Sequence, residues 1–267
     1  MPELLSADCT AKTIEQAIEA AELVTENGNR RVYSTGDAIV KIGPSARILS
    51  EEYALRYVAK NTQILVPKVF ACVELRLGQH ALVMEKLKGA NLVENAESLD
   101  WPQYRTSISL QVASFIRQLR QIRRKGHFGG LESNAYDGPA FVPLPEKPFS
   151  SVREFHRYWT RTRTRARPRE IHTLGIEEIL EVDDDEESVL SHGNLHARNI
   201  MIEDGEVTGI TGWEGCGFYP KFWESARMMF DFRAPEEWQK IIPRITNMHY
   251  REYIAYRGLM ANASLYT

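Results

Sequence analysis

Three cysteines in 267 residues, Cys9, Cys72 and Cys216, are too few and too far apart for a disulfide framework or a thiolate metal motif. They suit a reducing compartment. No apolar run is long enough to span a bilayer. The opening segment MPELLSADCTAKTIEQ lacks both a basic and an apolar leader region, so no secretory signal is expected and a cytoplasmic location is. The formal charge of −3 leaves no global field to draw in nucleic acid or an anionic membrane. Internal repeats are also missing. A chain of this length can nonetheless bury a sizeable core, as one large domain or two closely packed lobes.

The pattern of elements changes near residue 88. Before it, Thr13 and Gln16 read as a capping box, with Ile14, Ala17, Ile18 and Ala21 on one helical face. RRVYSTGDAIVKIG reads as a hairpin turning at Thr35-Gly36-Asp37. SARILSEEYALRYVAKN reads as a helix with Leu49, Tyr53, Leu55 and Tyr57 inward, and a second hairpin turns at Leu77-Gly78-Gln79. Beyond Gly89, Tyr104, Ile108, Val112, Phe115, Leu119 and Ile122 fall at the spacing of a long buried helix. Residues 126–150, rich in Gly, Pro, Asp and Ser, read as loop, and SVREFHRYWTR as a helix. The basic run RTRTRARPR and the acidic run DDDEE read most simply as solvated surface. NIMI and EVTGI flank Asp204-Gly205 as a third hairpin, Pro220 reads as the first turn of a helix, and the remainder is mostly helical. The expected fold class is therefore α+β, with an N-terminal lobe over 1–87 and a C-terminal lobe over 88–267.

Phosphoryl transfer needs a cation on the nucleotide phosphates, a carboxylate to hold that cation, a base or orienting group for the acceptor, and oxygen ligands for Mg²⁺. Lys41 ends the strand AIVK and Glu51 follows on the next helix, with Glu52 as a rival. Taken alone, such a pair is usually a surface contact worth little. In the stretch LSHGNLHARNIMIEDGEVTGITGWE, a loop of this length feeding a hairpin can aim Asn194, Asn199 and position 212 into one cleft. A hairpin with polar ends is the plainer alternative.

That stretch, continued as GCGFYPKFWESAR, resembles the aminoglycoside phosphotransferase (choline-kinase-like) family, in particular its fungal small-molecule kinase-like branch. The family pattern reads His-Gly-Asp-Leu-His-Pro-x-Asn-Ile, then a hairpin, then Ile-Ile-Asp-Trp-Glu and Gly-Phe-Tyr-Pro leading to Trp-Glu. EEYALRYVAKNTQILVPKVF, LVMEKLKGANL and SLQVASFIRQLRQI are similar to the family as well. The resemblance implies a bilobal protein-kinase-like fold with ATP between the lobes. It implies Lys41 as the phosphate-contacting lysine and Glu51 as its helix partner. It makes Met84, Glu85 and Leu87 part of a hinge that receives adenine through backbone groups, and Asn199 a metal-binding asparagine. His192 and Trp213 match positions that shape the catalytic loop.

The departures from the pattern decide the functional expectation. Asn194 stands at the place of the catalytic aspartate, and an amide accepts a hydrogen bond but takes no proton at neutral pH. Gly212 stands at the place of the main Mg²⁺ carboxylate and offers no side-chain ligand. Ala197 replaces a proline. ATP remains the implied cofactor, while Gly212 puts Mg²⁺ in question. The expectation is a kinase-fold protein that has lost ordinary phosphotransfer and works on a small molecule, with no nucleic acid or membrane partner. It would serve either as a non-phosphorylating enzyme of secondary metabolism (lyase, isomerase or cyclase), with His192, His196, Glu214 or the cleft tyrosines doing acid–base work, or as a pseudokinase. The opposing expectation is an active phosphotransferase in which Glu203, Asp204 or Glu214 replaces the missing ligand.

Overall fold

In a computed structural model the chain is described at residues 9–131, 147–163, 186–231 and 234–264. Helix α1 (Ala11–Glu19) starts one turn earlier than Thr13 would place it. Thr10 is its N-cap, accepting from the Thr13 amide, while the Thr13 hydroxyl accepts from the Thr10 amide. The capping box is thus Thr10 with Thr13, not Thr13 with Gln16: a threonine hydroxyl at the third helical position reaches back as a glutamine would.

Five antiparallel strands follow in the order β1-β2-β3-β5-β4. They are β1 (Glu22–Asn27), β2 (Arg30–Ser34), β3 (Ala38–Pro44), β4 (Val69–Arg76) and β5 (Gln79–Glu85). The two expected hairpins are present. Strand β1 was not legible, because this edge strand is exposed along its whole length and carries no alternation of burial. Val40, Ile42, Ala81 and Val83 pack with Ile14 of α1 on one sheet face.

Helix α2 (Ser45–Asn61) lies between β3 and β4 in sequence and buries Ile48, Glu51, Ala54, Leu55 and Val58. Leu55 is inside as expected and Tyr57 is half-buried, but Leu49 and Tyr53 are exposed. The buried stripe is rotated from the apolar one because a carboxylate, Glu51, occupies its centre.

The C-terminal part is helix-rich. The long helix α3 (Trp101–Gln121) is capped by Asp100 and buries Ile108, Val112, Phe115, Ile116 and Leu119. The short strand β6 (Ala90–Asn91) precedes it in sequence, and β7 (Arg123–Arg124) and β8 (Gly129–Gly130) follow it. A strand pair and a bridge between Phe128 and Phe149 therefore interrupt what reads as loop over 126–150. After α4 (Val152–Arg163), strand β9 (Ser188–Ser191) leads into the hairpin of β10 (Ile200–Glu203) and β11 (Glu206–Ile210). Asp204 and Gly205 both adopt left-handed angles, φ 50° and 78°, as a two-residue hairpin turn requires. The hairpin is fixed to α3 through Glu206, which accepts from Ser107 and Gln111.

Strand β12 (Gly217–Tyr219) pairs with β9, and helices α5 (Trp223–Met229), α6 (Glu236–Thr246) and α7 (Tyr250–Ser264) complete the chain. Pro220 precedes α5 rather than lying in its first turn; its carbonyl accepts from the Trp223 amide. Phe128, Phe149, Phe155, Tyr219, Phe222, Trp223 and Tyr256 form a separate aromatic core under these helices. Most of the basic run and the start of the acidic run lie outside the described residues. Of the acidic run, Glu186 meets Lys221 at 3.7 Å and Glu187 meets Arg123 at 3.6 Å. Among the described residues no helix is long and apolar enough to cross a membrane.

Candidate functional site

Strand β3 aims Lys41 at helix α2, where its Nζ lies 2.6 Å from Oε1 of Glu51. Glu51 is 1% exposed, which separates this contact from a surface pair. Glu52 turns outward and pairs with Arg56 one helical turn on. Removing one partner of a buried pair leaves an uncompensated charge, so Lys41→Met is expected to cost about 3 kcal/mol. Lys41→Met with Glu51→Leu should recover most of that loss, because a neutral apolar pair needs no desolvated charge. Urea unfolding of both variants checks this; equal stability of single and double variants would contradict it.

The segment after β5 carries the expected hinge. Met84 is buried within the sheet, while Glu85 is exposed, with its carboxylate accepting from the Lys68 amide. The Glu85 amide donates to Lys68 O at 2.9 Å and the Lys86 amide to Asp37 O at 3.0 Å, so both are engaged within the chain. Leu87 packs over Gly209 of β11, where a Cβ would come within 2.6 Å of its side chain.

Across from Lys41, the loop between β9 and β10 is held from many sides. His192 is fully buried; its Nε2 donates to Thr211 O at 3.0 Å and its Nδ1 accepts from the Asn194 amide at 3.1 Å. Those partners fix the neutral tautomer, and the ring packs on Trp213 with centroids 4.3 Å apart. Burial pushes its pKa down to about 3. His196 donates from Nε2 to Arg227 O at 3.1 Å, and burial, with the charges of Arg227 and Arg198, pushes it down to about 3 as well. Neither imidazole is cationic at neutral pH, and each spends its one N–H on a backbone carbonyl. Asn194 is buried, and its Oδ1 lies 3.4 Å from Nη2 of Arg198.

Asn199, at the end of a short 3₁₀ turn, donates through Nδ2 to the Asn194 carbonyl at 2.7 Å. The same amide closes over Gly212, which has φ 77° and ψ 43°. A Cβ built on Gly212 would lie 2.8 Å from Cγ, Nδ2 and Oδ1 of Asn199. The Asn199 amide therefore covers the place where a side chain at position 212 would begin. Residues Trp213–Gly215 form a 3₁₀ turn rather than extended strand, so Glu214 does not share a strand face with position 212. Its carboxylate accepts from both Nη atoms of Arg30, at 2.8 and 2.6 Å. Burial would raise this carboxyl, but Lys41 and Arg30, with Arg47 behind them, outweigh burial and hold it below the usual carboxylate range.

Helix α5 and the turn after it brace the loop from behind. The Gly193 amide donates to Glu224 at 3.2 Å, Arg227 Nε donates to Gly193 O at 3.2 Å, and the Ala197 amide donates to Asp231 at 3.0 Å. Burial raises the Glu224 carboxyl, while loop amides pull it back. Arg30, Glu224, Arg227 and Asp231 were not singled out in the sequence. Glu224 had a signal in the Trp-Glu pair after the Gly-Phe-Tyr-Pro segment; Arg30 had none beyond its place after Gly28-Asn29.

The structure thus brings Lys41, Glu51, Glu214, Asn194, Asn199, His192 and Gly212 to the junction of the sheet-rich and helix-rich parts. Among the described residues no three His, Cys, Asp or Glu side chains come together as a metal site. Beside the loop, the carboxylate of Glu214 is held by Arg30. Mg²⁺ favours carboxylates, phosphates and water.

The family model described as "Phosphotransferase enzyme family" matches residues 20–257. Among solved structures, aminoglycoside phosphotransferase APH(4)-Ia is similar at TM-score 0.66 and 15% identity, covering 96% of this chain and 89% of that one. A thermostable mutant of the same enzyme, in ternary complex with ADP and hygromycin B, is similar at TM-score 0.64 and 13% identity over 96% of this chain and 90% of that one. The GDP and kanamycin complex of APH(2")-IIia is similar at TM-score 0.62 and 14% identity over 93% of this chain and 82% of that one. No curated protein matches the chain by sequence.

Proposed function

The chain belongs to the phosphotransferase enzyme family, and from that premise we propose that it has given up ordinary ATP-dependent phosphotransfer and serves small-molecule biosynthesis as a pseudokinase or a non-phosphorylating enzyme. Asn194 and Gly212 at the base and metal positions, with the Asn199 amide closed over Gly212, carry this reading. The engagement of both His192 nitrogens and of the Glu214 carboxylate favours the binding form over acid–base catalysis by those two groups. In this reading residues 1–87 and 88–267 are the two lobes, and a nucleotide enters beside Lys41 and the 84–87 segment. A small-molecule ligand then occupies the side of the Asn194 loop. The setting is the cytoplasm, and the affinity is with the fungal branch of the family.

The intact Lys41–Glu51 pair favours a second reading, an active small-molecule phosphotransferase with substitute metal ligands. Titration with ATP in EDTA and in Mg²⁺ separates them. Affinity is expected to differ by less than about threefold, or about 0.7 kcal/mol, with no ADP released. Strong enhancement by Mg²⁺ together with ADP release would establish the second reading.

A further inference from the structure

Arg30 and Glu214 are 184 positions apart, yet they form a bidentate contact that ties the turn between β1 and β2 to the Trp213–Gly215 turn. The two ends are anchored very differently. Trp213 is buried, its indole donates to Ile210 O at 2.7 Å, and its ring packs on His192. The turn that carries it also lies against α2. Strand β1, by contrast, is the outer strand of its sheet and is exposed along its whole length. It is paired on one side, with β2, and that register breaks between Leu23 and Thr25. Arg30 reaches Glu214 along a lane that glycine leaves open: a Cβ on Gly43 of β3 would lie 3.2 Å from the Arg30 Cγ. Val32 pairs with Lys41, and Arg30 precedes Val32 by two residues, so Arg30 and Lys41 share one sheet face. The ion pair is therefore made on the face that carries Lys41.

We infer that Arg30 and Glu214 form a strap that holds the tip of the β1–β2 hairpin shut against the Trp213–Gly215 turn, so that the hairpin is a lid whose resting state is closed. Glu214 is the fixed post and the hairpin tip is the part that moves. A fork of two N–H donors on one carboxylate is directional, so the strap sets the position of the lid as well as holding it. The two side chains are 27% and 14% exposed, which sets the contact apart from a fully solvated surface pair. Without the strap, the tip keeps one ladder, that of β1 with β2, and little buried surface. Those are the properties of a segment that opens locally, well below the free energy of global unfolding. Access to the Lys41 face from the hairpin side then follows release of the strap. Glu214 is a positioning residue in this account: it acts through Arg30 on the hairpin.

Amide hydrogen exchange of the full chain tests this, comparing the natural protein with Arg30→Ala, Arg30→Lys, Glu214→Gln and the double variant Arg30→Ala with Glu214→Gln. Exchange over residues 25–30 should speed up at least about fivefold in Arg30→Ala and in Glu214→Gln. Arg30→Lys should fall between these and the natural protein, since it keeps the charge and loses the fork. The double variant should exchange no faster than the faster single variant, because both changes cut the same strap. Exchange in the core of α3, residues 108–119, should stay as it is in the natural protein. That second region separates a lid that opens locally from a contact that merely adds to global stability. If Arg30→Ala loosens α3 as well, Arg30→Lys and Glu214→Gln decide. Unchanged exchange over 25–30 in both single variants would overturn the inference. So would a rise over 25–30 matched by the same rise in α3 in every variant, or a double variant in which the two effects multiply. The measurement involves no ligand, so any of these failures leaves the reading of lost phosphotransfer untouched.

Discussion

A variant carrying both Asn194→Asp and Gly212→Asp is expected to release ADP from Mg²⁺-ATP at least about 100-fold faster than the natural protein, with water as acceptor, and each single change less than about tenfold. The two carboxylates act as a unit. A base without the bridging cation faces an unneutralised triphosphate, and a cation without the base leaves the acceptor poorly aimed. The backbone admits the second change: Gly212 already sits at φ 77°, and aspartate is among the residues that tolerate left-handed angles. What must move is the Asn199 amide, 2.8 Å from the new Cβ. It would exchange its bond to the Asn194 carbonyl for a place beside the metal. This requirement is a further reason that Gly212→Asp alone should do little. If the natural protein matches the double variant, it is a working phosphotransferase with other ligands. If the double variant folds, binds ATP and stays inert, the cleft has been rebuilt beyond these two positions.

Acidification from pH 7.5 to 5 is expected to remove most of the folding stability. Burial holds His156 at about 4, and holds His192 and His196 at about 3. An unfolded histidine titrates near 6.5. Between that value and about 4 the unfolded chain binds three protons that the folded chain does not. Stability is therefore fully present above the unfolded value and falls as pH drops below it. Each group contributes a slope of about 1.4 kcal/mol per pH unit in that window, so the three together approach about 4 kcal/mol per unit. Urea midpoints at pH 7.5, 6.5, 5.5 and 5 measure the slope. His156→Phe should lower the slope by about a third, whatever it costs in absolute stability. His156 is the suitable probe, because it bonds the Tyr256 hydroxyl and stacks on Phe222 away from the Asn194 loop. A midpoint that stays flat from pH 7.5 to 5.5 would refute the expectation.

The sequence by itself determined the α+β class, three hairpins, the core face of α3 and the order of the loop motifs, because glycine turns and apolar periodicity are local signals. The pairing of Lys41 with Glu51 was also legible, though only as one of two choices. The tertiary structure alone decided that choice: Glu51 lies on the face of α2 turned toward the sheet, and Glu52 one helical step away finds Arg56 instead. Burial of that carboxylate also rotated the inward face of α2 away from Leu49 and Tyr53. Strand β1 escaped notice because an edge strand exposed on both faces leaves no pattern to read. The functional loop shows the same division. That Asn194 and Gly212 lack carboxylates is plain from two letters of sequence. That the Asn199 amide covers Gly212, and that Arg30 holds Glu214, depends on contacts between residues 13 and 184 positions apart. Local propensity carries no information about contacts at that separation, since only the packed chain brings the two turns together.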